Sequence, residues 1–286
     1  MFKQKLCLAL SGQFGISPEE QVKLFKKTGF EGFAIDMSGR SVDPAPLVKL
    51  AKEESMFIDY IHAPFNKSDD MWMQGEIGDI ALSELLEHLE ICAKHEIPTM
   101  VAHTFIGFDN DNIPTDIGIE RYGKLAGRAS VLGVRLALEN TEGEEYLFAL
   151  MDAFKNEKSV GFCWDTGHEL CYNRGKKLMQ MFGDRLFVTH LNDNLGVKDY
   201  DGKITWIDDL HLLPFDGIAD WDSIVASLAE YGFSGPLTFE LNTRSKPGRH
   251  ENDKYSEMPL ERYLAEAYSR ACRVAAMFIK EKEKLK

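Results

Sequence analysis

Eight short apolar runs, each followed by an amphipathic stretch, constrain this chain more than any other feature. The runs cover 5–10, 32–35, 57–61, 99–102, 135–138, 160–163, 186–189 and 237–239. The stretches between and after them cover 18–27, 45–54, 79–94, 119–132, 145–154, 175–181, 223–230 and 260–284, with apolar residues at helical spacing. Strand then helix, eight times over, predicts a parallel sheet closed inside a ring of helices. The fold class is therefore α/β, a single (β/α)8 TIM barrel. A length of 286 residues suits one such barrel over 1–286, and no linker or low-complexity segment divides it.

Local punctuation keeps this phase. Ser17-Pro18-Glu19-Glu20 reads as a capping box with proline at the first helical position. Thr28-Gly29-Phe30, Leu132-Gly133-Val134 and Tyr231-Gly232-Phe233 each place a glycine where a left-handed residue ends a helix before the next strand. The first ten residues mix lysines with an apolar run that is too short for a signal peptide, and they read as the first strand. Five scattered cysteines, odd in number and without a CxxC pair, predict a reduced, cytoplasmic protein. No apolar run approaches the length of a membrane span. The longest irregular stretches, 191–220 and 242–257, follow the seventh and eighth runs, on the barrel face that holds active sites.

Four of the runs stop at metal-ligand side chains: Glu139, Asp165, His190 and Glu240. A bare carboxylate or imidazole at a buried strand end costs several kcal/mol, roughly, unless it finds a partner. Four such ends on neighbouring staves predict one shared partner, a divalent cation. Three carboxylates with one imidazole suit Mn²⁺, Mg²⁺, Co²⁺ or Zn²⁺ alike. His62 and His103 close the third and fourth runs, His168 follows Asp165 by three residues, and Asp209 and His211 are two apart. Each is expected either to bind further metal or to hydrogen-bond a polyhydroxylated substrate. His88, His95 and His250 are assigned no role. Trp72, Trp164, Trp206, Phe65 and Phe105 are candidate pocket walls, with Trp164 placed either there or against the helix ring.

The pieces His62-Ala63-Pro64, Ala137-Leu138-Glu139-Asn140, Cys163-Trp164-Asp165-Thr166-Gly167-His168, Thr189-His190-Leu191-Asn192-Asp193-Asn194 and Gly235-Pro236-Leu237-Thr238-Phe239-Glu240 carry a resemblance along the whole chain. They resemble the sugar isomerase and epimerase family of xylose-isomerase-like barrels, a superfamily shared with inosose dehydratases and apurinic-site endonucleases. The resemblance implies one metal held by Glu139, Asp165, His190 and Glu240, with the two glutamates as acid and base on opposite faces of the substrate. The implied reaction is isomerisation or epimerisation of a small sugar, polyol ketone or sugar phosphate through an enediolate. It also implies that His168, and Glu145 six residues after Glu139, contact substrate hydroxyls. Glu145 reads equally as a first-turn helix residue.

Two departures keep other chemistries in view. Epimerases of this group carry an arginine soon after the metal histidine, and 191–196 contains none. Dehydration of an inosose, a lyase reaction that begins with the same proton abstraction, is one alternative. The other is a phosphodiesterase of the endonuclease branch. There a three-zinc site uses residues matching His62, His103, Glu139, Asp165, His168, His190, Asp209, His211 and Glu240, all present here. A formal charge of −13 without a basic patch disfavours nucleic acid as partner. Arg40, Lys67, Arg174, Lys198, Arg244, Lys246 and Arg249 are interspersed with Asp69, Asp70, Asp109, Asp111, Asp199 and Asp201, a mixture suited to a small carbohydrate. The outer helices leave room for a homo-oligomer.

Overall fold

A computed structural model describes residues 4–38, 42–108, 113–197 and 203–286. Arg40, Asp109, Asp111, Lys198, Asp199 and Asp201 lie outside the described residues. The strands are β1 (Leu6–Ala9), β2 (Gly32–Asp36), β3 (Phe57–His62), β4 (Thr99–His103), β5 (Arg135–Glu139), β6 (Val160–Asp165), β7 (Leu186–His190) and β8 (Leu237–Phe239). The helices are α1 (Pro18–Thr28), α2 (Pro44–Glu53), α3 (Glu76–Lys94), α4 (Asp116–Leu132), α5 (Glu144–Ala153), α6 (Thr166–Cys171), α7 (Met179–Phe182), α8 (Trp221–Glu230), α9 (Asp253–Ser256) and α10 (Leu260–Lys284).

All strand pairs are parallel, in the order β7-β6-β5-β4-β3-β2-β1-β8. Between β8 and β7 the join is looser. Leu191 bridges Phe239, and Thr189 stands in for ladder bonds, its Oγ1 accepting from Thr238 N at 3.1 Å and donating to Thr238 O at 3.4 Å. A β-branched hydroxyl residue thus completes the ring where backbone pairing runs short.

Strand alternation sorts the core into two shells. Leu136 and Leu138, Phe162 and Trp164, and Leu237 and Phe239 point outward onto the helices. Ala9, Ala34, Tyr60, Val101, Ala137, Cys163 and Val188 fill the barrel interior. The same parity turns His62, His103, Glu139, Asp165, His190 and Glu240 inward at the upper rim, each two residues beyond an interior position. Register keeps them level, since His103 pairs with Glu139 and Asp165 with His190.

The helix ends follow their sequence signals in most places. Ser17 and Glu20 form the capping box of α1, and Gly133 ends α4 at φ 69°. Gly29 instead adopts φ 123°, where a Cβ would strike the Tyr268 ring at 2.6 Å, so close approach as well as backbone geometry calls for glycine there. One element departs from expectation. The helix anticipated over 175–181 is replaced by α6, which begins directly after Asp165, and by the single turn α7. Asp165 itself caps α6, its Oδ1 accepting from His168 N at 2.7 Å. The cap folds the chain back sooner than apolar spacing alone indicates.

Candidate metal centre

Glu139 is the hub of the upper rim. Its side chain is 1% exposed, and four imidazoles face its two oxygens. On Oε2 stand His62 Nε2 at 3.1 Å and His103 Nε2 at 3.3 Å. On Oε1 stand His190 Nδ1 at 2.9 Å and His168 Nδ1 at 3.3 Å. His190 Nδ1 also lies 2.8 Å from Glu240 Oε2 and 3.9 Å from Asp165 Oδ2. Farther out, Asp209 receives His211 Nε2 at 2.8 Å on Oδ2 and approaches His168 Nε2 at 3.6 Å through Oδ1.

These side chains therefore assemble three adjoining donor sets, each with its ligand atoms within 4.8 Å of one another: His62, His103 and Glu139; Glu139, Asp165, His190 and Glu240; Asp165, His168 and His211. Cys163 forms a further set with Glu139 and His190 from inside the barrel. All nine strand-end and loop candidates come together around one volume.

Hydrogen bonding indicates what fits there. Ring nitrogens of His62, His168 and His211 face backbone carbonyls of Ala63, Asn140 and Glu240 at 2.9, 3.0 and 3.2 Å. A carbonyl only accepts, so each of these Nδ1 atoms must donate. The opposite nitrogen of each ring then aims a lone pair at a carboxylate oxygen. Two electron-rich atoms at such range repel unless a proton or a cation lies between them. Carbonyl-oriented imidazoles of this kind are the second-layer arrangement typical of metal ligands. Asp209 Oδ1 is also buried without a hydrogen-bond partner. The donor set thus fits divalent metal.

Electrostatics agree. Burial would raise the Glu139 carboxyl, but His190 and His103 hold it well below the usual range. Glu240, opposed likewise by burial, is drawn down to about 2 chiefly by His190. Burial works against charge on His211 too, yet Asp209 carries that ring up to about 9. Asp165 moves up, because burial outweighs the cations near it. Protons and metal would compete for one set of lone pairs.

Supporting residues lock the rim. Asn140 Oδ1 accepts from Asp165 N at 2.8 Å, and its amide donates to Asp165 O and to Asn173 Oδ1. Asn192 Nδ2 donates to both Asp165 oxygens, at 3.2 and 3.0 Å. Asp193 accepts from the backbone of Asn194, Phe215 and Ala219 and from Trp221 Nε1, all at 2.9–3.0 Å. Gly217 lies so close that a Cβ would sit 2.2 Å from Asp193 Oδ1. Asp193 also forms the backbone bridge to Leu212, beside His211. In the sequence these asparagines and Asp193 stand out only as motif letters; their separation from Asp165 and 213–221 along the chain hides their partners.

The pocket walls divide. Phe65 stacks on His103 with ring centres 4.2 Å apart. Trp164 is not in the mouth: it lies in the outer shell, its Nε1 donating to Glu169 at 2.9 Å, because alternation turns it away from Asp165. Trp72 is likewise buried, donating to Thr104 O, and Phe105 is buried against Tyr146. Trp206 lies at the surface with Lys246 over its ring. A cavity of about 390 Å³ opens at the mouth between Phe108, Glu142, Tyr172 and Arg174. Tyr172 links it to the centre, its ring 4.7 Å from that of His168. Glu145 is exposed on the cavity rim, whereas Glu142, not anticipated, is buried and accepts from Gly107 N at 3.0 Å. Burial raises the Glu142 carboxyl.

Comparison with known proteins gives the same fold. A protein-family model described as a xylose isomerase-like TIM barrel matches residues 22–265. The uncharacterized protein y4fM of Sinorhizobium fredii is 29% identical over 205 residues, 66% of this chain and 63% of that protein. A "Probable endonuclease 4" of Methanocorpusculum labreanum is 30% identical over 144 residues, 42% of this chain and 50% of that one. The matches thus span less than two thirds of either relative. Among solved structures, a zinc-bound IolI protein superposes with TM-score 0.75 at 19% identity, covering 96% of this chain and 99% of that one. An L-ribulose 3-epimerase superposes with TM-score 0.72 at 13% identity, covering 99% and 97%. With its family model matching most of its length, this chain belongs to the xylose isomerase-like TIM barrel family.

Proposed function

We propose that this protein is a divalent-metal-dependent isomerase or epimerase of a small polyhydroxylated carbonyl compound, a sugar, polyol ketone or sugar phosphate. One observation carries the reading. Glu139 from β5 and Glu240 after β8, three staves apart on an eight-membered ring, both reach the same nitrogen of His190, at 2.9 and 2.8 Å. Two carboxylates thereby approach one volume from different sides, as proton removal and return at a single carbon require. A divalent cation held by Glu139, Asp165, His190 and Glu240 would polarise a carbonyl and acidify the neighbouring C–H.

The residues then divide the work. Glu240, whose side chain is 31% exposed, is the carboxylate a substrate can reach and serves as base. Glu139 is the opposing carboxylate, deep in the imidazole cage. His168 and Glu142 border the mouth and would orient hydroxyls. Phe65 offers an apolar face above His103. The fold-level likeness to an L-ribulose 3-epimerase supports the carbohydrate class.

A second reading, a three-metal phosphodiesterase, is favoured by the two donor sets that flank the central one and by the endonuclease-named relative. The overall charge of −13 argues against a long polyanion. Metal counting by elemental analysis, α-proton exchange of a ketose and inosose panel in D2O with Mn²⁺ or Co²⁺, and nicking of abasic duplex with Zn²⁺ separate the readings. Exchange without nicking is expected. Robust nicking with no exchange reverses the assignment. Glu240→Gln should abolish exchange with the fold intact by circular dichroism; retained turnover would remove Glu240 from proton transfer.

A further inference from the structure

Lys246 sits against Asp209, the carboxylate that adjoins the outermost donor set through His168 and His211. Its Nζ lies 3.4 Å from Asp209 Oδ2, the oxygen that His211 Nε2 reaches at 2.8 Å. Its side chain is 18% exposed, and its ammonium lies 5.4 Å from the centre of the Trp206 ring. The segment bearing Lys246 is fastened to the segment bearing Asp209 and His211. Arg249, whose backbone N donates to Lys246 O at 2.9 Å, pairs with Asp208 at 3.4 Å. Asn252 donates to Leu210 O at 3.1 Å and to Asn242 O at 3.0 Å. Ser245 joins the same clasp through Asn252 N and Asp253. Much of the ordering cost that a surface lysine meets on pairing is therefore already met by the fold.

The inner sets differ. Among the described residues, Glu139, Asp165 and Glu240 have only imidazoles as ionic partners, and an imidazole gives up its proton to become a ligand. A lysine ammonium keeps its charge and cannot ligate while protonated. A cation added to Asp209 must therefore work against a positive charge that the fold has placed on the same carboxylate.

We propose that Lys246 is a built-in cation that competes with metal for Asp209, the carboxylate beside His168 and His211, so that the outer set of Asp165, His168 and His211 binds a divalent ion more weakly than the inner sets. The inference rests on the reading of the rim as a metal centre and deepens it: the inner donors hold the working ion, and the outer set is left to orient substrate. It predicts a metal count below that of a three-ion site at moderate metal concentration.

Zn²⁺ titration of chelator-stripped protein, followed by calorimetry and by elemental analysis after dialysis, tests it. Lys246→Met keeps stem length and removes the charge. It should take up one more ion than wild type, with outer-site affinity raised about tenfold or more, while Lys246→Arg behaves as wild type. Adding His211→Asn to Lys246→Met should abolish the gain. Equal counts and affinities in wild type and Lys246→Met overturn the inference and leave the proposed function standing; three tightly held ions in wild type overturn the inference and favour the phosphodiesterase reading instead. Wild type that binds no divalent ion overturns both.

Discussion

At the scale of single residues, the informative side chains are those that hold the ligands. Asn140 is fully buried and spans β5, β6 and Asn173 with three hydrogen bonds. Asn140→Ala should cost about 1–3 kcal/mol of stability, because the Asp165 N–H is left buried and unpaired. It should also weaken metal binding about 10–100-fold through loss of Asp165 orientation. Denaturant melts and chelator competition check the two effects separately; an unchanged metal affinity would leave Asn140 a packing residue. The side chains proposed as ligands were legible in the sequence because each ends an apolar run on the inward parity. Their clamps were not, since Asn140, Asn192 and Asp193 act on partners that only the closed barrel brings near.

At the scale of elements, β3 is an irregular stave, as is the β6–β7 pair, whose register shifts between Phe162 and Cys163. Its pairing with β2 slips between Phe33 and Ile35, and both Asp59 and Tyr60 end up buried. Asp59 accepts from Thr238 Oγ1 at 2.6 Å. Burial lifts its carboxyl from 3.8 to about 6, against Thr238, Arg135 and His190, which favour the charged form. A carboxyl raised on folding binds its proton more tightly in the native state. Its contribution is thus present below the unfolded value and fades as pH rises through about 6. Asp59→Asn should therefore gain about 1–3 kcal/mol over wild type at pH 8 and little at pH 4. Urea melts at the two pH values decide; a pH-independent difference would contradict the assignment. The slipped register leaves no mark in hydrophobic periodicity, which is why β3 looked ordinary in the sequence. α6 was overlooked for a related reason: six residues are too few for a periodic stripe, and the Asp165 cap is the only local signal.

For the whole molecule, ring closure and metal binding are one problem. The rim gathers carboxylates and imidazoles from β3 to β8, the arc that includes the loose β7–β8 join. Metal that binds only the closed rim stabilises it by about 2.7 kcal/mol at a hundredfold excess over Kd. For a chain of this size the melting temperature should rise by roughly 4–5 °C on adding Zn²⁺ or Mn²⁺ and fall back with chelator. Scanning calorimetry measures this directly, and an unmoved transition would count against a metal centre. Fold class was readable because eight alternations leave few closed solutions. The chemistry was readable only to the level of a barrel whose rim gathers metal-binding side-chain types, since loop sequences follow no period that would name a substrate. Among the described residues no helix is long and apolar enough to cross a membrane.

The grip of Asp193 on the chain from 213 to 221 has an evolutionary corollary. That carboxylate holds the far half of the β7 connection, including the bridge at Leu212 next to His211, from one point on the chain. Swapping Asp193 alone would untie that whole stretch at once, so drift in this part of the chain is tethered to a single letter.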